Sequence, residues 1–435
     1  MAIIDGMALR QIGASGHLMF DGCDTIELAR TYGTPLYVMS ETAIRSRLRE
    51  LSTSFMKRWP GSLAVYASKA FQTLELCRIV AQEGLGLDVV SGGELFAAIK
   101  AGFPPDRVFF HGNGKTEEEL RMAVEQCVGR VVVDNLDELL ALDRIALQAG
   151  KRQPILFRVT PGVDSHTHEY VSTGRIDSKF GIPLDPSVRD DYIGRALKMR
   201  GVELLGFHFH VGSQLLENDS HLLAIRVVLD LLADVHKAYG FTAREINLGG
   251  GFGVRYTNAD AVHDLSHFTE PMMQAVQAGC AERSLPMPRV IIEPGRWVVG
   301  EAGITLYTVT SVKTIPGIKT WVAVDGGMTD NLRPALYGAK YEGTIADRPA
   351  ASCDTTVNVA GKCCETGDVL IRDIAMQAPH RGDTLAVFTT GAYCHSMSSN
   401  YNRLPRPAVV MVAAGTSHLS VRRETYDDLV ARELP

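Results

Sequence analysis

Leu63-Ala64-Val65-Tyr66-Ala67-Ser68-Lys69-Ala70-Phe71 places a short apolar run directly before a lysine. Alone, a lysine past a strand is a solvated side chain. The run is the first of eight, however. Strand-like stretches recur at Leu85–Val90, Val108–Phe110, Arg130–Val133, Ile155–Val159, Leu204–Phe209, Glu245–Leu248 and Val290–Ile292, and nearly all end in polar groups or glycines. Between them lie amphipathic segments of helix length, among them Leu74–Glu83, Gly93–Ala101, Thr116–Gln126, Leu136–Ala149 and Leu222–Tyr239. Apolar, β-branched strands of this kind suit parallel strands buried on both faces. Eight strand–helix repeats over roughly 250 residues is the arithmetic of an α/β (β/α)8 TIM barrel, whose strand C-termini share one face. A doubly wound open sheet is the alternative.

Outside that repeat the pattern changes. After Gly303, short alternating runs (Leu306–Lys313, Thr320–Val324, Thr356–Ala360, Thr384–Thr389, Ala408–Ala413) predict a second, C-terminal antiparallel β domain with little helix. Early strand signals at His17–Phe20 and Leu36–Met39, around a helix at Thr25–Tyr32, are expected to join it. A long helical pattern runs from Glu41 to Trp59, Glu342–Thr355 reads as a surface loop, and Glu424–Leu434 as an exposed charged helix. The expected division is therefore a barrel over 41–302 and a β domain over 1–40 plus 303–435.

Composition narrows the function. The 435 residues carry a net charge of -6 and 46% hydrophobic residues, with no Lys/Arg-rich stripe, which argues against nucleic acid or an anionic membrane as partner. The start, Met1-Ala2-Ile3-Ile4-Asp5, lacks a basic segment followed by an apolar one, and no apolar run is long enough to span a bilayer. The eight cysteines are scattered without Cys-x-x-Cys spacing, which fits a reducing cytoplasm, and no metal-ligand set stands out. His166 and His168 read as solvated or substrate-adjacent loop residues.

The strand ends then suggest chemistry. After the seventh run comes Gly249-Gly250-Gly251, where the backbone can approach an anion and its N–H groups can cradle a phosphate. After the eighth comes Glu293-Pro294-Gly295-Arg296, which brings a guanidinium to the neighbouring strand end. Phosphate sites after strands 7 and 8 recur in such barrels. A glycine run alone is more often a turn. A carboxylate ending a buried strand needs a partner, and one that would justify Glu293 is a protonated pyridine nitrogen in a ring that serves as an electron sink. His210, in His208-Phe209-His210-Val211-Gly212-Ser213, is placed to stack on such a ring, with Ser213 reaching the phosphate and Lys69 bonding the cofactor aldehyde.

In combination these residues resemble the alanine-racemase-like (fold type III) pyridoxal-phosphate decarboxylases, and within them the diaminopimelate decarboxylase branch. The resemblance spans nearly the whole chain. It is carried by Tyr66-Ala-Ser-Lys69, Asp88-Val-Val-Ser91-Gly-Gly-Glu94, His111-Gly-Asn113, His208 to Ser213, Gly249–Gly251, Glu293-Pro-Gly-Arg296, Asp330-Asn-Leu-Arg333-Pro, Cys364-Glu365-Thr-Gly-Asp368 and Gly391-Ala-Tyr393. It implies pyridoxal 5'-phosphate (PLP) on Lys69, with Asp88, His210, Ser213, the three glycines, Glu293, Gly295, Arg296 and Tyr393 around it. It further implies a homodimer with shared active sites, in which Cys364 and Glu365 enter the partner's site and Cys364 returns a proton to the substrate Cα.

The implied reaction is decarboxylation of meso-2,6-diaminopimelate to L-lysine and CO2, with Arg296, Arg333, Tyr337, Glu365 and Tyr393 binding this small amino acid. Its second amino-acid head requires a carboxylate binder, for which an arginine fork is suited, and an ammonium binder such as Glu365. The loop Glu169–Gly174, with Ser178–Gly181, also looks like this branch. Cys394-His395 and Lys362-Cys363 depart from its pattern. Alternatives are a decarboxylase of ornithine, lysine or D-forms, an amino-acid racemase, or a silent regulatory homologue.

Overall fold

The computed structural model describes residues 9–163 and 178–434. The expectations placed on His166, His168 and Glu169–Gly174 lie outside the described residues. The chain forms two compact units, one of Leu48–Gly253 with Val262–Arg296, the other of Met1–Arg47, Val254–Ala261 and Trp297–Pro435.

The first unit is a closed barrel. Its strands are β1 (Leu63–Ala67), β2 (Gly86–Val89), β3 (Val108–Phe110), β4 (Arg130–Val133), β5 (Gln153–Thr160), β6 (Val202–His208), β7 (Glu245–Asn247) and β8 (Arg289–Ile292). Each pairs in parallel with its neighbour in sequence, and β8 pairs with β1 to close the ring, which excludes the open doubly wound sheet. The two-residue strand Ile182–Pro183 adds to β5 from outside the ring.

Helices follow the strand ends with their first turns capped by side chains. Thr73, Ser91, Thr116 and Asn135 accept from the N–H groups of Leu76, Glu94, Glu119 and Glu138, and Thr116 with Glu119 completes a capping box. These short polar residues turn each buried strand sharply into the helix that covers it. The predicted helix from Glu41 to Trp59 is α-helical only over Glu41–Glu50 and continues as a π-turn, Leu51–Met56.

The second unit holds a seven-strand path, Val369–Met376, Thr355–Ala360, Lys319–Val324, Gly303–Ile315, Leu36–Ser40, Ala408–Ala413 and Thr416–Val421. It is antiparallel-rich, but Lys319–Val324 with Thr355–Ala360 and Leu36–Ser40 with Ala408–Ala413 are parallel pairs. Leu36–Ser40 joins this sheet as expected. Leu18–Phe20 does not, and pairs instead with Arg10–Ile12 and Cys23–Asp24 in a separate three-stranded sheet. The Glu342–Thr355 loop is corrected as well. Gly343–Ile345 is a strand that pairs with Thr384–Val387, and Ile345 is fully buried. The tail helix covers only Tyr426–Val430. No helix of the described residues is long and apolar enough to cross a membrane.

Candidate active site

Side chains alternate along a strand, so an inward residue is followed two positions later by another. In the barrel this builds layers. At the N-terminal end of the strands, Arg130 grips Glu245 bidentately at 2.8 and 2.6 Å, with Arg289 3.6 Å away. The middle layer is apolar, with Val65, Phe109, Val132, Leu156, Leu205 and Ile291 packed together. Two residues beyond four of these stand His111, Asp134, Arg158 and Glu293, all buried. A bulge at Leu204–Gly206 shifts the register of β6 so that His208 lies opposite Arg158. The layer facing the strand C-termini is therefore polar, and the register of the strands makes it so.

Glu293 is the centre of that layer. It is 7% exposed, and its Oε1 accepts from Asn247 Nδ2 at 2.6 Å and lies 2.7 Å from His111 Nε2. Its Oε2 lies 3.2 Å from His208 Nε2. Burial pushes this carboxyl upward, but His111 and His208 overcome that and hold it well below the usual carboxylate range. Burial lowers His208 to about 4, against the pull of Glu293. Asp88, 3% exposed, is raised to about 6 by burial, with the charge of Glu293 adding to the rise and His111 opposing it. Its Oδ1 has no hydrogen-bond partner among the described residues and lies 3.7 Å from His111 Nε2.

Lys69 sits on a single 3-10 turn, Ser68–Ala70, exposed between two buried neighbours. Glu94 anchors the turn by accepting from Ser68 Oγ at 3.1 Å and Val90 N–H at 2.7 Å. The glycine loop has a packing reason at each point. A Cβ on Gly250 would lie 2.1 Å from the Glu293 carbonyl oxygen, and Gly251 has φ +102 and faces the Gly212 carbonyl. The Gly250 N–H donates to His210 Nδ1 at 3.3 Å. The His210 ring is kept neutral by burial, with Lys69 and Arg158 adding to the effect. Arg296 Nη2 donates to Ser213 Oγ at 2.8 Å, and Gly295 packs on Ala67.

The remaining expected residues belong to the other unit. Arg333, on the helix Arg333–Tyr337, is buried, and its Nη1 donates to Tyr256 Oη at 2.7 Å and Tyr341 Oη at 2.8 Å. Among the described residues no carboxylate pairs with it. Tyr337 ends the same helix, half-buried. Tyr393 has φ +64, and its ring lies 6.0 Å from the Arg333 guanidinium carbon. Cys364 and Glu365 are exposed, whereas Cys363 is buried. The Cys364 turn is held at both sides. Asp368 accepts from Cys363 N–H at 2.8 Å and Met328 N–H at 2.7 Å, and Asn402 Oδ1 accepts from Cys364 N–H at 2.7 Å.

Residues 42–300 match the family described as "Pyridoxal-dependent decarboxylase, pyridoxal binding domain". The chain is 47% identical over 420 residues to a diaminopimelate decarboxylase of Bacillus subtilis, covering 97% of this chain and 96% of that one. It is 46% identical over 414 residues to that of Bacillus methanolicus, covering 95% and 96%. A crystal structure of diaminopimelate decarboxylase from M. jannaschii in complex with L-lysine superposes with a TM-score of 0.91 at 35% identity, covering 98% of each chain. The chain belongs to the diaminopimelate decarboxylase family.

Within a decarboxylase of this family, the carboxylate Glu293 was legible from its place at a strand end, but its supports were not. Asn247, Arg158 and Asp134 were not singled out, and His111 and His208 entered only as parts of motifs. The signal that finds them is the register, two residues beyond a buried apolar position. The structure also brings together two His/Glu groups with metal-like spacing that the sequence did not suggest, His111–His208–Glu293 and the more exposed Glu217–His263–His267. In the first, Glu293 is hydrogen-bonded to His208 at 3.2 Å and lies 2.7 Å from His111 Nε2.

Proposed function

We propose that the chain is a PLP-dependent carboxy-lyase that converts meso-2,6-diaminopimelate to L-lysine and CO2. The observation that carries the substrate choice is Arg333, a buried guanidinium without an acidic partner among the described residues, in a chain of this family. Diaminopimelate brings the carboxylate it lacks, whereas ornithine and lysine decarboxylation leaves no use for it. The M. jannaschii relative, solved with L-lysine, supports the identity of the product.

The residues fit PLP chemically. An aldehyde needs an accessible amine, and Lys69 is exposed. A protonated pyridine nitrogen needs a carboxylate that stays ionised, and His111, His208 and Asn247 keep Glu293 so. A phosphate needs clustered donors, which Arg296 and Ser213 supply beside the close-packed backbone of Gly249–Gly251, whose Gly249 and Gly250 N–H groups donate to Asn247 and His210. Bound there, PLP supplies a protonated conjugated ring that takes up the electrons released as CO2 leaves.

The protein's own residues divide the rest of the work. Lys69 would hold the cofactor through its amine. Glu293 keeps the ring nitrogen protonated, with Asp88 beside it. His210, a neutral imidazole, would stack on the cofactor ring, and Tyr393 and Gly295 would help hold its phosphate. Cys364 delivers a proton to Cα as general acid. Arg333 holds the distal carboxylate with Tyr337, Glu365 holds the distal ammonium, and Arg296 serves both cofactor and substrate. Residues 41–302 form the cofactor-binding module and 1–40 with 303–435 its companion. The working enzyme is a cytoplasmic homodimer whose Cys364 and Glu365 serve the partner's site.

The test is CO2 release from meso-diaminopimelate, L-lysine and L-ornithine in parallel, with added PLP. Release from diaminopimelate alone is expected. Release only from lysine or ornithine would overturn the substrate assignment while leaving the Lys69 chemistry intact.

A further inference from the structure

Arg333 is held in an unusual way for a buried cation. Buried charges are ordinarily paired with opposite charge, yet the partners of this guanidinium are two phenols. Nη1 carries two hydrogens, and the two tyrosines take both, Tyr256 at 2.7 Å and Tyr341 at 2.8 Å. Tyr256 and Tyr341 meet edge to face at 5.4 Å, so each ring fixes the other. The guanidinium carbon lies 5.1, 5.9 and 6.0 Å from the rings of Tyr256, Tyr341 and Tyr393. Those faces offset part of the cost of burying the charge without neutralising it.

The consequence concerns the rest of the fork. With Nη1 committed, Nε and Nη2 form the remaining edge, and among the described residues neither has a hydrogen-bond partner. Nε with Nη2 is a pair of parallel N–H donors that a carboxylate takes bidentately. A lysine at 333 or a rotated guanidinium would not present that edge. We infer that Tyr256 and Tyr341 are positioning residues, which hold Arg333 with its Nε–Nη2 edge open so that the enzyme selects ligands bearing a carboxylate at the far end. Both lie outside the residues that the sequence singled out. Tyr256 follows the glycine loop by a few positions, and its hydroxyl reaches a helix 77 residues further along the chain.

This inference rests on the reading of Arg333 as the distal carboxylate binder, and the experiment separates the two. Tyr256→Phe, Tyr341→Phe and the double variant keep the rings and remove the hydroxyls. They are compared, as PLP-loaded enzymes, with Arg333→Gln. Two ligands are titrated, L-lysine, which keeps the distal carboxylate, and 1,5-diaminopentane, which has none. Binding is read from the absorbance of the bound cofactor, and kcat and KM are measured with meso-diaminopimelate.

The double variant is expected to weaken lysine about tenfold, the scale of hydrogen bonds to a charged group, and to raise KM similarly with kcat within about threefold. Binding of 1,5-diaminopentane should not change. Arg333→Gln should erase the preference for lysine. If Arg333→Gln erases it and the double variant leaves it intact, the positioning role is wrong and the carboxylate role stands. If Arg333→Gln leaves the preference intact, the reading of Arg333 itself fails. Equal weakening of both ligands by the tyrosine variants would mark a merely structural role and also overturn the inference. Should the double variant not fold, Tyr256→Phe alone carries the same comparison.

Discussion

Glu293→Gln removes one charge from the centre of the polar layer while keeping the side chain's size. An amide retains one acceptor oxygen, which at the Oε1 position still serves Asn247 and His111, now 2.6 and 2.7 Å away. The new NH2 then faces His208, 3.2 Å from its Nε2, and that ring must turn acceptor there by moving its proton to Nδ1. His208 Nδ1 is buried without a hydrogen-bond partner among the described residues, so the shifted proton is unsatisfied and the fold should lose about 1–3 kcal/mol. Catalysis should suffer more. Glu293 is the carboxylate assigned to the ring nitrogen, and loss of one member of a buried, hydrogen-bonded charge pair costs about 2–5 kcal/mol. Taking ~3–4 kcal/mol of this at the transition state, kcat should fall roughly 10²–10³-fold. The assay is CO2 release from meso-diaminopimelate at saturating substrate, with cofactor occupancy fixed by absorbance. Stability gives a second sign. Because the native carboxyl titrates below its unfolded value, it stabilises the fold above the unfolded value and loses that contribution as pH falls. The variant should therefore lose stability at neutral pH and converge with the parent in acid. A variant with full occupancy and kcat within threefold of the parent would refute the pairing of Glu293 with the ring nitrogen.

Three further outcomes follow from particular contacts. Lys115, 1% exposed, donates to Gly112 O, Val132 O and Glu138 Oε1 at 2.7–2.8 Å, so Lys115→Met leaves Glu138 buried and unpaired. It should lower stability by about 3–5 kcal/mol in denaturant melts, and Glu138→Gln in the same chain should recover part of that loss. No loss in the single variant would show that water replaces the amine. Asn402→Gly removes the acceptor of Cys364 N–H, and because Asn402 stands at φ +52, glycine keeps the backbone. The expected result is a several-fold lower kcat with unchanged PLP binding and melting temperature, the scale of one hydrogen bond. Unchanged kcat would show that the turn holds itself. Burial raises Asp330 to about 7, with the charge of Asp368 adding to the rise, so the native state holds this proton more tightly than the unfolded chain does. That contribution is complete in acid and is lost as pH rises from about 4 to about 7. Asp330→Asn should flatten the fall in stability over that range, and a parallel pH profile in the variant would sink the assignment.

What the sequence could and could not reveal follows the range of the interactions. Val108–Phe110 and Arg130–Val133 have in the structure the bounds read from their apolar runs, because a strand buried on both faces announces itself locally. Gly343–Ile345 was taken as loop because three residues carry no period, and only its ladder with Thr384–Val387 makes it a strand. The two parallel pairs in the second unit were invisible for a related reason, since alternation records which face a side chain takes and not the direction of the neighbouring strand. The site divides in the same way. Lys69, the glycine loop and Glu293 were legible because each breaks a local expectation, an amine, a backbone without side chains or a charge at the end of an apolar strand. His111, His208 and Asn247 break none. Each is a polar residue at or just past the end of its strand, and they acquire meaning only when the barrel closes and sets three strand ends against one carboxylate. Tyr256 and Tyr341 are equally mute in the chain, since a tyrosine reads as core until it is seen to hold a buried guanidinium that pairs with no carboxylate among the described residues. The motifs thus name the groups that do chemistry, and the groups that hold them in their charge state and orientation are written in the register of distant strands.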